Sequence, residues 1–386
     1  MLKPTLLTTG LLWSLLAPQT CLANENGFLS YTADLLANVD GGIETGYRYV
    51  DLFHGGYAVE LSPALLLHAS AIYANGGNFT TDLVGDDQTI GNIESGTPLA
   101  RLYEAWAEIG SEKVSLKIGL YDVGSEFDAL ESSSLFLNGT YGTGFDLVQA
   151  GRTGPSIYPF LSFGARAAFR HDGTALRVAV LDGAAGDPDD SDDFGVDLNA
   201  EDGMFIIGEI ERYADNWRVF AGAWSFTGDF EKIAQTPQAP PDFGSNSGFY
   251  VRGEYSWTLR DGRSLSTFAR VGLADRQVNV YETFLSTGMV LDAPFSHHRP
   301  NDQMGLAVAR AGLGEPERAA RAIATGFNGL ASSATAETNI ELTYAFALSD
   351  NFVLQPDIQY TIDPGATDNI DNALVFGFRI GADFPF

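Results

Sequence analysis

Cysteine is nearly missing from this sequence: 386 residues carry one, Cys21. It sits inside an apolar leader, so neither a disulfide framework nor thiol chemistry is expected in the rest of the chain. Basic residues are also scarce, with 22 Lys and Arg against 50 Asp and Glu and a formal net charge of −28. So acidic a chain repels nucleic acid and is not built to collect anions. After the leader no apolar run approaches the roughly 20 residues of a membrane helix, which excludes helical spans. Histidines are few: His54, His68, His171, His297 and His298. None shows metal-ligand spacing such as His-Glu-x-x-His, and His297-His298 reads as a solvated pair in a connection. Nucleophile elbows and phosphate loops are missing as well. Nothing points to an enzyme, and no cofactor is implied.

The leader itself is informative. Lys3 precedes an apolar stretch over residues 6–18, and Cys21-Leu22-Ala23 puts small residues near a cleavage point. This pattern predicts a secretory signal peptide over residues 1–23, cut after Ala23. Residues 24–386 then form one domain with 21 basic and 50 acidic residues, a net charge of −29.

Alternation is what the rest of the chain has in quantity. Counting back by twos from the end gives Phe386, Phe384, Ala382, Ile380, Phe378, Phe376 and Leu374, all apolar. The other register holds Pro385, Asp383, Gly381, Arg379, Gly377, Val375 and Ala373, mostly small or charged. A period of two over this length predicts a long strand with one apolar and one wet face. A membrane-crossing strand needs about 10 residues with an apolar outward face and aromatics at its ends. Similar stretches recur along the chain, as in Val114, Leu116, Ile118 and Leu120 against Lys113, Ser115, Lys117 and Gly119. Tyr103, Ala105, Ala107 and Ile109 are expected on one lipid-facing register, opposite Glu104, Trp106 and Glu108. Short turns alternate with long connections such as 74–98, 122–158 and 312–335, the last with a short helix starting near Pro316. The pattern predicts an all-β fold: a transmembrane antiparallel β-barrel of about 16 strands with an inward constricting loop. The final strand should pair with both the strand before it and the first strand, leaving no free edge.

The wet register carries charges of both signs: Arg166, Arg170, Arg177, Arg252, Arg270 and Lys117, with Glu104, Glu108, Glu209 and Glu254. Residues lining a pore tune which solutes pass. Arginine offers planar donor forks and carboxylates offer acceptors, a set that can replace the water shell of a neutral sugar. Trp106, Tyr121 and Phe127 are candidate rings for stacking on a sugar. The loop over 122–158 is the expected constriction and brings Glu126, Asp128 and Glu131. The acidic run Asp187, Asp189, Asp190, Asp192 and Asp193 lacks the glycine and terminal glutamate of a calcium loop. It reads as a solvated loop that divalent ions bridge to lipopolysaccharide.

Several stretches, taken in order, resemble the OprB-type carbohydrate-selective porins. They are residues 82–94 (DLVGDDQTIGNIE), 101–106 (RLYEAW), 116–128 (LKIGLYDVGSEFD) and 134–138 (SLFLN). Residues 154–159 (GPSIYP), 268–275 (FARVGLAD), 341–344 (ELTY) and 354–360 (LQPDIQY) continue the series. The resemblance implies a sixteen-stranded barrel in the outer membrane that passes monosaccharides by diffusion. It also implies that the terminal Phe386 strand is read by the barrel-assembly machinery. A general or cation-preferring porin and a surface adhesin or receptor are the competing readings. The sequence leaves monomer or homo-oligomer open.

Overall fold

The computed structural model describes residues 26–186, 202–233, 240–328 and 332–386. The expected signal peptide and the acidic run at 187–193 lie outside the described residues. Among the described residues no helix is long and apolar enough to cross a membrane. Sixteen antiparallel strands instead close into one barrel. They are β1 Gly27–Gly42, β2 Gly46–Ser62, β3 Leu65–Ala74, β4 Leu99–Gly110, β5 Val114–Tyr121, β6 Ser162–His171, β7 Thr174–Asp182 and β8 Met204–Ala214. The second half holds β9 Trp217–Glu231, β10 Phe243–Thr258, β11 Ser264–Ala274, β12 Tyr281–Asp292, β13 Gln303–Leu313, β14 Ala336–Ser349, β15 Phe352–Ile362 and β16 Asp371–Pro385.

The last strand behaves as its alternation predicts. Phe378 faces Leu35 of β1 on one side and Pro356 of β15 on the other. Closure satisfies every ladder without an exposed edge, the condition for spanning a bilayer with strands. On β16, Phe376, Phe378 and Ile380 are exposed outward, while Ala373 and Val375 are fully buried inside. Several strands are longer than their alternating cores: β2 runs through Gly55-Gly56 to Ser62, β9 runs on to Glu231, and β10 begins at Phe243.

One face assignment is corrected. Leu99, Arg101 and Tyr103 point inward and are buried, whereas Leu102 is exposed outward. Ala69 pairs with Ala105, but Ala71 pairs with Leu102, so Tyr103 and Glu104 together oppose the single Ser70. This is a β-bulge, and one extra residue reverses the facing of everything on one side of it. Tyr103 therefore belongs to the interior, not to the lipid-facing register with Ile109.

The barrel is filled by chain rather than left open. The connection 122–161 enters the lumen and packs Leu130, Phe136 and Tyr141 against Phe268 and Phe284 of the wall. Further along, Tyr121, Phe127 and Leu147 cluster with Phe205, Trp224 and Phe226. The connection 75–98, expected to be merely polar, also folds inward. Phe79, Leu83, Val84 and Ile90 pack on Leu36 and Val375. Burying one such side chain is worth about 1.5–3 kcal/mol, so these loops are part of the core. The connection after β13 carries a helix, Glu315–Asn328, as Pro316 suggests.

Candidate functional site

The inner wall meets the inward loops through a repeated device. A wall glutamate points into the lumen and accepts hydrogen bonds from loop backbone N–H groups. Glu341 accepts from Leu137 N at 2.6 Å and Asn138 N at 3.0 Å. Glu254 accepts from Ser132 N at 2.9 Å and Ser132 Oγ at 2.7 Å. Glu209 accepts from Asp128 N at 3.0 Å and Tyr250 Oη at 2.6 Å. Glu337 accepts from Asp87 N and Gln88 N, both at 2.9 Å, and from Gly365 N at 2.6 Å. Charge-assisted bonds of this kind are about twice as strong as neutral ones.

Arginines hold the same loops by their side chains. Asp128, fully buried, takes Arg252 Nη1 at 2.7 Å and Arg270 Nη2 at 2.8 Å. It also accepts from Gly144 N at 2.9 Å. Arg270 reaches Asp146 as well, at 2.5 Å. Burial disfavours the Asp128 charge, but Arg270 and Arg252 outweigh it and hold the carboxyl below its usual range. Glu126 forms a second node, with Lys117 Nζ at 2.6 Å and Arg166 Nε at 2.6 Å. Burial again opposes ionisation there, and Lys117 and Arg166 bring the carboxyl down to about 2. Arg166 also binds Glu108 at 3.0 Å. The fit is close: a Cβ on Gly144 would lie 1.9 Å from Arg270 Cζ.

The architecture now has a counterpart among known proteins. The family model described as "Carbohydrate-selective porin, OprB family" matches residues 56–384. The chain belongs to this porin family. It is therefore a carbohydrate-selective porin of the outer membrane, a channel by membership. Porin B of Pseudomonas aeruginosa is 25% identical over 414 residues, covering 93% of this chain and 88% of that protein. The high-pH structure of Pseudomonas putida OprB superposes with a TM-score of 0.84 at 20% identity, covering 94% of this chain and 95% of that one. The low-pH structure of the same protein gives 0.54 at 16% identity, covering 94% of each chain.

In this OprB-family barrel the residues singled out from the sequence fall into distinct places. Arg166, Arg252, Arg270 and Glu209 are buried against the constricting loop, and Asp128 of that loop is buried against the wall. Arg177 is buried too, joining Glu209 at 3.1 Å and Glu211 at 2.8 Å. Lys117 lies over the Trp106 ring at 4.1 Å, and Trp106 stacks on His68 at 4.9 Å. Glu104 accepts from Asp122 N at 3.3 Å. The three candidate stacking rings are covered: Trp106 is 7% exposed, Tyr121 and Phe127 1% each. Glu108, Glu254 and Arg170 are only partly covered, and Glu131 is exposed.

Sequence reasoning missed several members. Glu337 and Glu341 anchor loops; Glu341 entered only within the stretch 341–344, and Glu337 not at all. Tyr103 donates to Asp122 at 2.5 Å, a contact hidden by the bulge. Arg218, which bridges Glu211 at 2.8 Å and Glu254 at 3.3 Å, lay in a weakly alternating strand. Its place two residues after the turn at 215–216 and on the inner register was the available signal. Among the described residues no group of three His, Cys, Asp or Glu side chains is placed to hold a metal ion.

Proposed function

We propose that this porin passes single neutral sugars, glucose-like monosaccharides, down their gradient into the periplasm. The observation that carries the reading is the pair of inward loops bound to the wall by buried charges. Such loops narrow a wide barrel and leave only some charged side chains within reach of a solute. Glu108, Glu126, Glu131 and Glu254 offer acceptors at the loop; Arg170 and Arg218 offer donors on its turn side. Opposed signs around a narrow path exchange a sugar's water for protein hydrogen bonds while giving an ion little net attraction. Binding must stay weak, because a tight site would trap the permeant. Glu104, Trp106, Lys117, Tyr121, Asp128, Arg166, Arg177, Glu209, Arg252 and Arg270 act one step back, by holding the loop and its charges in position. Export by residues 1–23, insertion by the barrel-assembly machinery and contact with lipopolysaccharide belong to the same reading.

The experiment is liposome swelling with a series of sugars, paired with planar-bilayer recording. Glucose should permeate and block conductance stepwise, and disaccharides should permeate far more slowly. The excess of acid over base favours one rival, a cation-preferring pore. Cation selectivity without sugar block would establish that rival instead.

A further inference from the structure

A hollow of about 270 Å³ opens on the inner wall, lined by Arg170, Ala175, Arg177, Glu211, Tyr213 and Arg218, with Ala214 at its edge. It lies beside the short turns 172–173 and 215–216, at the end of the barrel where both termini emerge. It lies on the turn side of the constricting loop, to which Arg218 connects it through Glu254 and Arg177 through Glu209. The wall makes the space with small residues. Arg170 pairs across to Ala175, and Ala175 to Glu211, so the rung between two long charged side chains carries only a methyl group. At ~30 Å³ per water, the volume holds several waters or one sugar ring.

Its chemistry is unlike the rest of the lumen. Tyr213 is 38% exposed. Trp106, Tyr121 and Phe127 are all covered, so none of these three offers a permeant an open face. Arg177 and Arg218 share Glu211, each at 2.8 Å, and each keeps further donors. Arg170 makes no side-chain hydrogen bond or ion pair among the described residues. An aromatic ring, planar donor forks and one carboxylate acceptor match a pyranose, which has an apolar face and a rim of hydroxyls.

We infer that this hollow is a second sugar station at the exit of the pore. One monosaccharide ring rests on Tyr213 while Arg170, Arg177 and Arg218 donate to its hydroxyls and Glu211 accepts. A weak station here catches a sugar leaving the constriction and lowers its chance of returning. The inference rests on the sugar-porin reading above.

The test uses the full-length channel in planar bilayers, with glucose added to one side at a time. Orientation is fixed by a thiol label on Asp350→Cys, in the β14–β15 turn. Current fluctuations give the sugar association rate from each side. Tyr213→Ala should lower the turn-side rate by about tenfold and leave the loop-side rate within about twofold. Arg170→Gln should act in the same direction, and Tyr213→Phe, which keeps the ring, should restore most of the rate. Retention of heat-modifiable mobility confirms that each barrel is folded. The inference is overturned if glucose blocks the parent channel and neither Tyr213→Ala nor Arg170→Gln alters the turn-side rate. A parent channel that glucose blocks from neither side overturns the sugar-porin reading, and the station with it.

Discussion

Replacing Asp128 by Ala removes the carboxylate that two wall arginines share. Arg252 then keeps only Ser133 Oγ at 3.3 Å and the Gly142 carbonyl at 3.2 Å. Arg270 keeps Asp146. Both guanidinium groups stay within a few per cent of full burial. Removing one partner of a buried ion pair costs about 3–5 kcal/mol, because the other charge is left desolvated. That energy falls on one equilibrium, the docking of residues 122–161 on the wall. The barrel ladders do not depend on it, since every strand keeps two paired neighbours. At about 1.4 kcal/mol per factor of ten, the docked state loses at least a hundredfold in relative population. The expected result is a folded barrel with larger conductance, faster disaccharide permeation and weaker glucose block. Planar-bilayer recording and liposome swelling read all three. A heat-modifiable Asp128→Ala barrel with parental conductance and parental size exclusion would refute the argument that this charge node sets the constriction.

Three further outcomes follow from neighbouring features. Gly144→Ala should loosen the same loop by about 1–3 kcal/mol of overpacking, read as raised conductance, because its methyl group would overlap the Arg270 guanidinium. Acid should act through Glu126, whose carboxyl is held at about 2 against an ordinary 4.5. A depressed value means that its stabilisation is complete above pH 4.5 and is lost as the pH falls towards 2. Sugar selectivity should therefore be flat from pH 7 to 5 and decay only below; loss already at pH 6 would exclude Glu126 as the cause. Asp86→Asn should tighten docking of residues 75–98 at pH 7 by about 1–3 kcal/mol, since it removes a negative charge whose oxygens are buried without a hydrogen-bond partner. Burial, then Glu337, Glu94 and Asp87, push that carboxyl well up, so the parent loop is weakest when ionised. Hydrogen exchange across 75–98 should show the gain at pH 7 and its disappearance below pH 4.

The strands were legible because lipid and lumen demand opposite chemistry on successive residues. Phe376, Phe378 and Ile380 against Ala373 and Val375 need no tertiary information to read. Alternation fails wherever the backbone adds a residue, and the Tyr103–Glu104 bulge put Tyr103 on the wrong face for that reason. The two inward loops were less legible. Residues 122–158 stood out as a candidate by length, aromatics and acids. Residues 75–98 did not, because Phe79, Leu83 and Ile90 have no strand period to mark them as buried. The wall carboxylates Glu209 and Glu254 lie on the inner register that alternation gives them. That they bind loop N–H groups was not foreseeable, since an amide hydrogen leaves no trace in residue type.

The glutamate anchors have a consequence for how such a channel diversifies. Glu341, Glu254, Glu209 and Glu337 grip amide hydrogens, which nearly every amino acid supplies. At these four points attachment is largely indifferent to the loop's own side chains, unlike the nodes at Glu126 and Asp128. Substitutions at its solute-facing positions can accumulate while the anchorage persists, so new permeant preferences are reachable by single steps without passing through an unconstricted pore. Moving the loop alone into a foreign barrel should fail, because the receiving half of every anchor is inherited with the wall.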